Sequence, residues 1–533
     1  MLLFGIILGL IIAAAVIAIL ARRQPGIGYT WLIAAGISLL AWLLLAGSPT
    51  RLFPEVDLSG WIPVENGSIA IIFRLDRVAW QYAFAIIALN VAVLFTSSAR
   101  IHLRNESYLW AGTLVLSAIA LLACAALSPV SLILAWTLLD FSELGLILFN
   151  RSDRKIEASN LSSFTWRVIG TLIFAGVFIL AGAEGEMPTF KELPPAFFPA
   201  ITLAVILRLG VFPLRPRLSQ ESPISRSAGN VITLMAPATA LVFLGRLKGE
   251  YIFSNLAVAL LLAFMVLYML YAALKWQSAA GELNGRPFWV ICLAVFGLAC
   301  MLHGQPQSSI AWGIILLLGG GGLFLASPRN KWIFILLMGI YFGISGIPGS
   351  PSMSAWNGII QGAFFISIPM FMLAAAFLFS GYLKFSQIPE GDFSGVDRWV
   401  KVVYPSGLGI LIVSQWVIFI RNLPGSFTFT YWWCGVTVFI LALLIFLWQQ
   451  QILPKSIIQK YQWLSSSGKI NIATRLDAVF GMNWLTLSAK VIFNIIQRIL
   501  NLVSGVLEGQ GGILWAILLL ALLISYFQFG VNP

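Results

Sequence analysis

Apolar stretches of roughly twenty residues, each long enough to cross about 30 Å of hydrocarbon, recur along the whole of this 533-residue chain. In lipid such a segment must satisfy its own backbone N–H and C=O groups, so it folds as a helix. About sixteen transmembrane helices are expected, near residues 2–21, 29–47, 78–97, 107–127, 130–149, 163–182, 196–213, 229–246, 252–273, 287–303, 308–326, 332–348, 355–382, 403–421, 429–449 and 513–529. The fold class is an all-α polytopic membrane protein. With 59% of its residues hydrophobic and 10% charged, the chain has no soluble core to absorb the excess.

Positive charge is retained on the cytoplasmic side of a membrane, so alternate loops differ in Lys and Arg. Placing the N-terminus outside puts 23 of the 32 Lys and Arg residues in inner loops and 7 in outer loops, with Arg167 and Arg208 inside spans. The asymmetry supports the segmentation and places both termini outside. It also accounts for the net charge of +12 without nucleic acid, the partner such a balance suggests in a soluble protein. Met1 to Leu20 lacks a basic stretch ahead of its apolar run, which reads as a retained helix and not a signal peptide.

Two carboxylates interrupt the fifth span. Asp140 and Glu143 lie one turn apart in the run Trp136-Thr-Leu-Leu-Asp-Phe-Ser-Glu. An ionised acid at a helix centre costs roughly 2.5 to 3.5 kcal/mol on insertion scales, so both must face protein or water, beside a cation or a shared proton. Cys124, Cys292, Cys300 and Cys434 sit in apolar spans without CxxC spacing and read as packing residues. His102 and His303 lie far apart at span ends, which argues against a metal site. No phosphate-binding loop or dinucleotide fingerprint follows a strand, so the chain is expected to bind no cofactor itself.

Two spans look broken. Arg208-Leu-Gly-Val-Phe-Pro213-Leu-Arg-Pro216 and Tyr341-Phe-Gly-Ile-Ser-Gly346-Ile-Pro348-Gly-Ser-Pro351 each join Gly to Pro near the end of an apolar run, and Pro213 and Pro348 are 135 positions apart. Proline removes a helix hydrogen bond, and the freed carbonyls need protein or water. Interruptions at matching positions of two inverted-repeat halves point to a transport path; two helix ends followed by turns would give the same letters. The run Gly319 to Gly322 reads as a close helix contact. Asp76, in Phe73-Arg-Leu-Asp-Arg77, is placed to cap the third helix, and residues 383–402 form an inner loop of mixed charge. Between 450 and 512, Lys490, Asn494, Gln497, Arg498, Asn501, Ser504 and Glu508 share one helical stripe, with Val491, Ile492, Ile495, Ile496, Ile499, Leu502 and Val503 opposite. That period marks an amphipathic helix on the membrane or on a neighbouring subunit, as a partner-binding element or a surface connector.

The order of these landmarks resembles the antiporter-like membrane subunits of respiratory complex I (NADH:quinone oxidoreductase) and of Mrp-type Na+/H+ antiporters. An Asp follows an outer loop before the third helix, as at Asp76, and a Trp-led helix carries an acid. A broken helix with Lys ahead of Phe-Pro-Leu precedes a Pro-x-Ser turn, to which Arg208, Phe212-Pro213-Leu214 and Pro223-Ile-Ser225 look equivalent. A second break begins Gly-Ile-Pro-Gly, as at Gly346 to Gly349. The likeness runs over about residues 60 to 385, and the segment before the last helix is similar to the lateral extension of the longer members.

The resemblance implies two inverted-repeat halves with two broken helices, and a proton path in which an acid on the fifth helix pairs with a Lys on the seventh. It divides the chain into 1–106 (N-terminal helices and outer loop), 107–250 and 251–385 (first and second halves), 386–449 (additional helices) and 450–533 (lateral segment and last helix). It implies a divergent, at most non-catalytic subunit of an NADH-quinone oxidoreductase-like or Mrp-like complex in a bacterial plasma membrane or equivalent energy-transducing membrane. Its partners would be other membrane subunits, with quinone-reducing subunits indirectly. Aligned on Trp136, however, the family's Glu falls at Thr137, and the acids stand one and two turns further on. The Lys is replaced by Arg208, and arginine does not shed its proton. In the second half the charged position falls at Trp356, span 308–326 has no charge, and Gly229 and Asn230 stand near the family's His. The proton-translocating residues expected are Asp140, Glu143 and Arg208, with the second-half route lost. A non-conducting structural subunit and a stand-alone secondary transporter are the alternatives.

Overall fold

The structure, a computed structural model, describes residues 2–23, 29–48, 55–58, 71–101, 106–149, 154–183, 190, 195–211, 226–247, 255–327, 330–360, 367–387, 396–426 and 432–450, with single residues beyond. In chain order the first helices are α1 (Leu2–Arg23) and α2 (Tyr29–Gly47). A two-stranded antiparallel ribbon follows, β1 (Val56–Asp57) with β2 (Ile72–Phe73), pairing Val56 with Phe73. Next come α3 (Arg77–Thr96), α4 (Glu106–Ala125), α5 (Pro129–Phe149), α6 (Arg154–Ala183), α7 (Phe198–Leu209), α8 (Ala228–Arg246), α9 (Asn255–Ser278) and α10 (Glu282–Leu302). The chain continues with α11 (Ser309–Ile314), α12 (Gly320–Leu325), α13 (Lys331–Ile344), α14 (Asn357–Ile360), α15 (Ser367–Gln387), α16 (Val400–Ser426) and α17 (Trp432–Gln449).

Thirteen helices among the described residues are long and apolar enough to span a bilayer, and Phe198–Leu209 and Lys331–Ile344 are shorter apolar helices. These fifteen coincide with the first fifteen expected spans, and the chain is a multi-pass membrane protein. The sixteenth, 513–529, lies outside the described residues except for Ala521, as does most of the amphipathic segment. Residues 470–533 form a unit of their own, in which Asn494, Gln497, Arg498, Asn501 and Ala521 are described, all helical and exposed.

Within residues 1–469, α3, α8 and α10 are buried along nearly their whole length. Around them α1 and α2 pack on α4 and α3, α5 on α6, α6 on α7, α9 on α10 and α15, and α16 on α3 and α13. Lipid supplies no hydrophobic drive between helices, so small residues and polar contacts set these packings. The run Gly319 to Gly322 shows how. A Cβ on Gly320 would lie 2.7 Å from Trp289 Nε1, on Gly321 2.5 Å from Leu89 Cδ1, and on Gly322 2.4 Å from Ile340 Cδ1. Three helices thus close on this short run from three directions, beside a π-helical turn at Ile315–Gly319 that joins α11 to α12. All four cysteines are buried and free.

Several boundaries differ from the sequence expectation, the largest at 355–382, where α14 (Asn357–Ile360) and α15 (Ser367–Gln387) stand with 361–366 outside the described residues; two of the differences have a physical reason. Helix α10 begins at Glu282, five residues before the expected span, because Glu282 and Arg286 are buried and partnered. Helix α6 begins at Arg154 because its first, polar turns precede the apolar stretch.

Candidate functional site

Asp140 and Glu143 project from one face of α5, as residues three apart do. Facing them, α6 brings Arg167 and, one turn on, Thr171, while α7 brings Arg208 in its last turn, where the helix dipole favours a cation. Arg208 donates from Nη1 to Asp140 Oδ2 at 2.7 Å, from Nη2 to Oδ1 at 3.3 Å, and to Thr171 Oγ1 at 2.6 Å. Its guanidinium also lies 4.4 Å from the ring centre of Trp136, one turn before Asp140. Arg167 reaches both acids, donating from Nη1 to Glu143 Oε2 and placing Nε 3.6 Å from Asp140 Oδ1. All four are buried: Asp140 is 1% exposed and Arg208 0%.

The sequence predicts α7 to pair with the acids of α5, and the structure brings Asp140 and Arg208 together. Glu143 meets Arg167 instead. Arg167 stood out in the sequence only as a charge inside a span, and the signal that could have placed it is its position one turn before Thr171 on a lipid-length helix. What lets α7 come close is Gly170, since a Cβ there would lie 2.8 Å from the Ala204 carbonyl and 3.2 Å from Arg208 Cγ. We expect Gly170→Val to separate α6 from α7 and loosen Arg208 from Asp140, at about 1 to 3 kcal/mol. A thermal-unfolding comparison with Gly176→Ala, where nothing lies within 4 Å of the added carbon, checks this.

Chemically the four charges cancel. Bidentate arginine–carboxylate pairs are strong and directional, and only the two acids can exchange a proton, because guanidinium stays charged.

The broken-helix residues occupy different ground. Pro213 and the Pro223-Ile-Ser225 turn lie outside the described residues, although α7 does end at Gly210, whose φ of 66° is left-handed. In the second break α13 stops at Ile344, Gly346 (φ 73°) and Gly349 (φ 80°) turn the chain past Pro348, and helix resumes at Met353. Gly346 N donates to Ser352 Oγ at 2.9 Å, which satisfies a group the interruption frees. Trp356, at the position where the resemblance implies a charge, packs edge-on against Trp312 (5.5 Å between ring centres), itself stacked on Phe296 at 4.1 Å. The second half is filled with aromatic rings at that point.

A second polar cluster escaped the sequence reading. Arg226 pairs with Glu282 at 2.8 Å, Arg286 donates to Asn230 Oδ1 at 2.7 Å, and Asn230 Nδ2 donates to the Arg226 carbonyl at 2.5 Å. Glu282, Asn230 and Arg286 are all buried. At the other end of the bundle Asp76 caps α3, accepting from Ala79 N at 2.7 Å and from Arg246 Nη2 at 3.0 Å.

Among the described residues the interruption at Gly346–Gly349, the buried α3–α8–α10 core and the thirteen membrane-length helices belong to a multi-pass membrane protein, and its fold matches that of antiporter-like subunits. Three solved structures share that fold. A chain of the Mrp complex from Dietzia sp. matches with a TM-score of 0.66 at 14% identity over 100% of this chain, which spans 63% of the length of that longer chain. A chain of the membrane-bound sulfane sulfur reductase, an archaeal respiratory membrane complex, matches with a TM-score of 0.64 at 14% identity, over 98% of this chain and 99% of that one. A chain of respiratory complex I from Thermus thermophilus with bound aureothin gives 0.57 at 14% identity, over 79% and 98%. The sequence matches no protein-family model and no curated protein.

Proposed function

We propose that this chain is a membrane subunit of a multisubunit, ion-translocating complex of the complex I or Mrp kind, and that Asp140 and Glu143 are its proton-exchanging groups. The observation that carries the reading is the Asp140 carboxylate, held between Arg208 and Arg167 at the centre of a span. Charges so placed are expensive and are kept for a path or a partner. Arg208 and Arg167 act as fixed positive partners that hold each carboxylate in place, while the aromatic filling around Trp356 closes the second half. The complexes whose chains share this fold are named as assemblies, which supports companions for this one.

Purifying the affinity-tagged chain in mild detergent tests the assembly. Companion membrane subunits are expected, with flavin and iron–sulfur absorbance if the assembly is redox-driven and without it if it is an antiporter. A lone monomer would overturn the proposal and favour a stand-alone transporter. One observation favours a second reading, a non-conducting subunit: the cluster is charge-balanced as it stands, two acids against two arginines, so it can serve as a static clamp between α5, α6 and α7.

A further inference from the structure

A threonine inside a membrane span can return its hydroxyl proton to the carbonyl four residues back, and Thr171 of α6 does so, donating from Oγ1 to the Arg167 carbonyl at 3.0 Å. That commitment fixes what the oxygen has left to offer. With its proton spent, Oγ1 can only accept, and a guanidinium can only donate. Arg208 Nη1 donates to it at 2.6 Å and, with its other hydrogen, to Asp140 Oδ2 at 2.7 Å. One arginine nitrogen is thus shared between a carboxylate and a hydroxyl.

Gly170, next to Thr171, is the residue that admits α7, so the contact is built into the α6–α7 crossing. Thr171 and Arg208 are both buried. The two acceptors differ in how they answer a proton. Protonation of Asp140 turns a charge-assisted hydrogen bond into a neutral one, roughly half as strong. The Thr171 hydroxyl does not titrate, and its bond to Arg208 stays as it was. A buried guanidinium whose acceptors weaken is costly to keep in place, so an acceptor that outlasts the carboxylate's charge holds Arg208 where it is.

We infer that Thr171 is a positioning residue of the α5–α6–α7 site, an uncharged acceptor that keeps Arg208 in place while Asp140 carries a proton, so that the guanidinium is still beside the carboxyl when the proton leaves. The inference rests on the reading of Asp140 as a proton-exchanging group. It adds to that reading the means by which the site keeps its shape between the two protonation states.

The test is a double-mutant cycle on the purified complex, with Asp140→Asn standing in for the protonated acid, neutral and of similar shape. Thr171→Val drops the acceptor and should lower the melting temperature little in the parent, where the carboxylate holds Arg208, and much more in the Asp140→Asn background. Thr171→Ser, which keeps the hydroxyl, should match threonine in both. Equal losses from Thr171→Val in the two backgrounds would overturn the inference, since a hydroxyl that only packs, or only bonds the α6 carbonyl, costs the same in each. Proton flux through the reconstituted complex, compared at equal subunit content, is the second readout. Thr171→Val should slow it about tenfold or more, the worth of one hydrogen bond to a charged group, and Thr171→Ser should restore it. Parent-level flux in Thr171→Val would also overturn the inference, and this comparison alone decides if Asp140→Asn does not accumulate as folded complex. Parent-level flux in Asp140→Asn would instead overturn the proton-exchange reading itself, a result that no outcome at Thr171 can imitate.

Discussion

Arg208→Leu alone is expected to leave little folded protein in the membrane, because it strands the Asp140 carboxylate opposite an apolar side chain at 1% exposure. Breaking a buried pair by removing one partner costs about 3 to 5 kcal/mol, a large share of a typical folding free energy. Arg167 remains 3.6 Å from Asp140, but it is already committed to Glu143 and cannot neutralise both acids. The double substitution Asp140→Leu with Arg208→Leu should recover much of the lost stability, since a buried pair replaced by apolar residues is often neutral or stabilising. Expression level and thermal unfolding of the two variants in detergent check this, and a double variant no better than the single one would mean that the pair does not act as a unit.

Gly435→Ala is expected to give the second large loss, through packing alone. The carbon it adds on α17 would lie 1.9 Å from the carbonyl oxygen of Gly346, so backbone meets backbone and no rotamer offers relief. Helix α17 would have to withdraw from the second interruption, at the upper end of the roughly 1 to 3 kcal/mol usual for overpacking. Gly409→Ala, on α16 with nothing within 4 Å of the new carbon, is the matched control. It should be neutral or slightly stabilising, since alanine favours helix by about 1 kcal/mol over glycine. Melting temperatures of the pair separate crowding from helix propensity.

Much of the fold was legible because twenty-residue apolar runs leave a chain few choices in lipid. The Asp76 cap and the close contacts at Gly319 to Gly322 were readable for the same reason, being local requirements of a helix start and of a tight crossing. The candidate site was legible in part. Asp140 and Arg208 could be paired by the order of landmarks, but the partner of Glu143 depends on how α6 rotates about its axis, and no local pattern fixes that. Glu282 and Arg286 were missed because a charge near the end of an apolar run reads as loop. Only the packed structure shows that Arg226 and Asn230 meet them across helices and bring them inside. Trp356 illustrates the converse, since its position in the landmark order marked a missing charge and the structure supplies the reason for its tolerance: a ring stack that needs no polar partner there.

Proton exchange at the α5 acids is tested most directly by proton flux through the purified, reconstituted complex with Glu143→Gln. Glutamine keeps the shape of the side chain and an amide oxygen that can accept from Arg167, and it leaves the Asp140–Arg208 pair, with its 2.7 Å contact, in place; because Arg167 loses its buried carboxylate partner, flux is compared at equal subunit content. Proton transfer should fall to the level of empty vesicles. Flux equal to that of the parent, from a complex of normal subunit content, would contradict the account and leave the network as a static clamp.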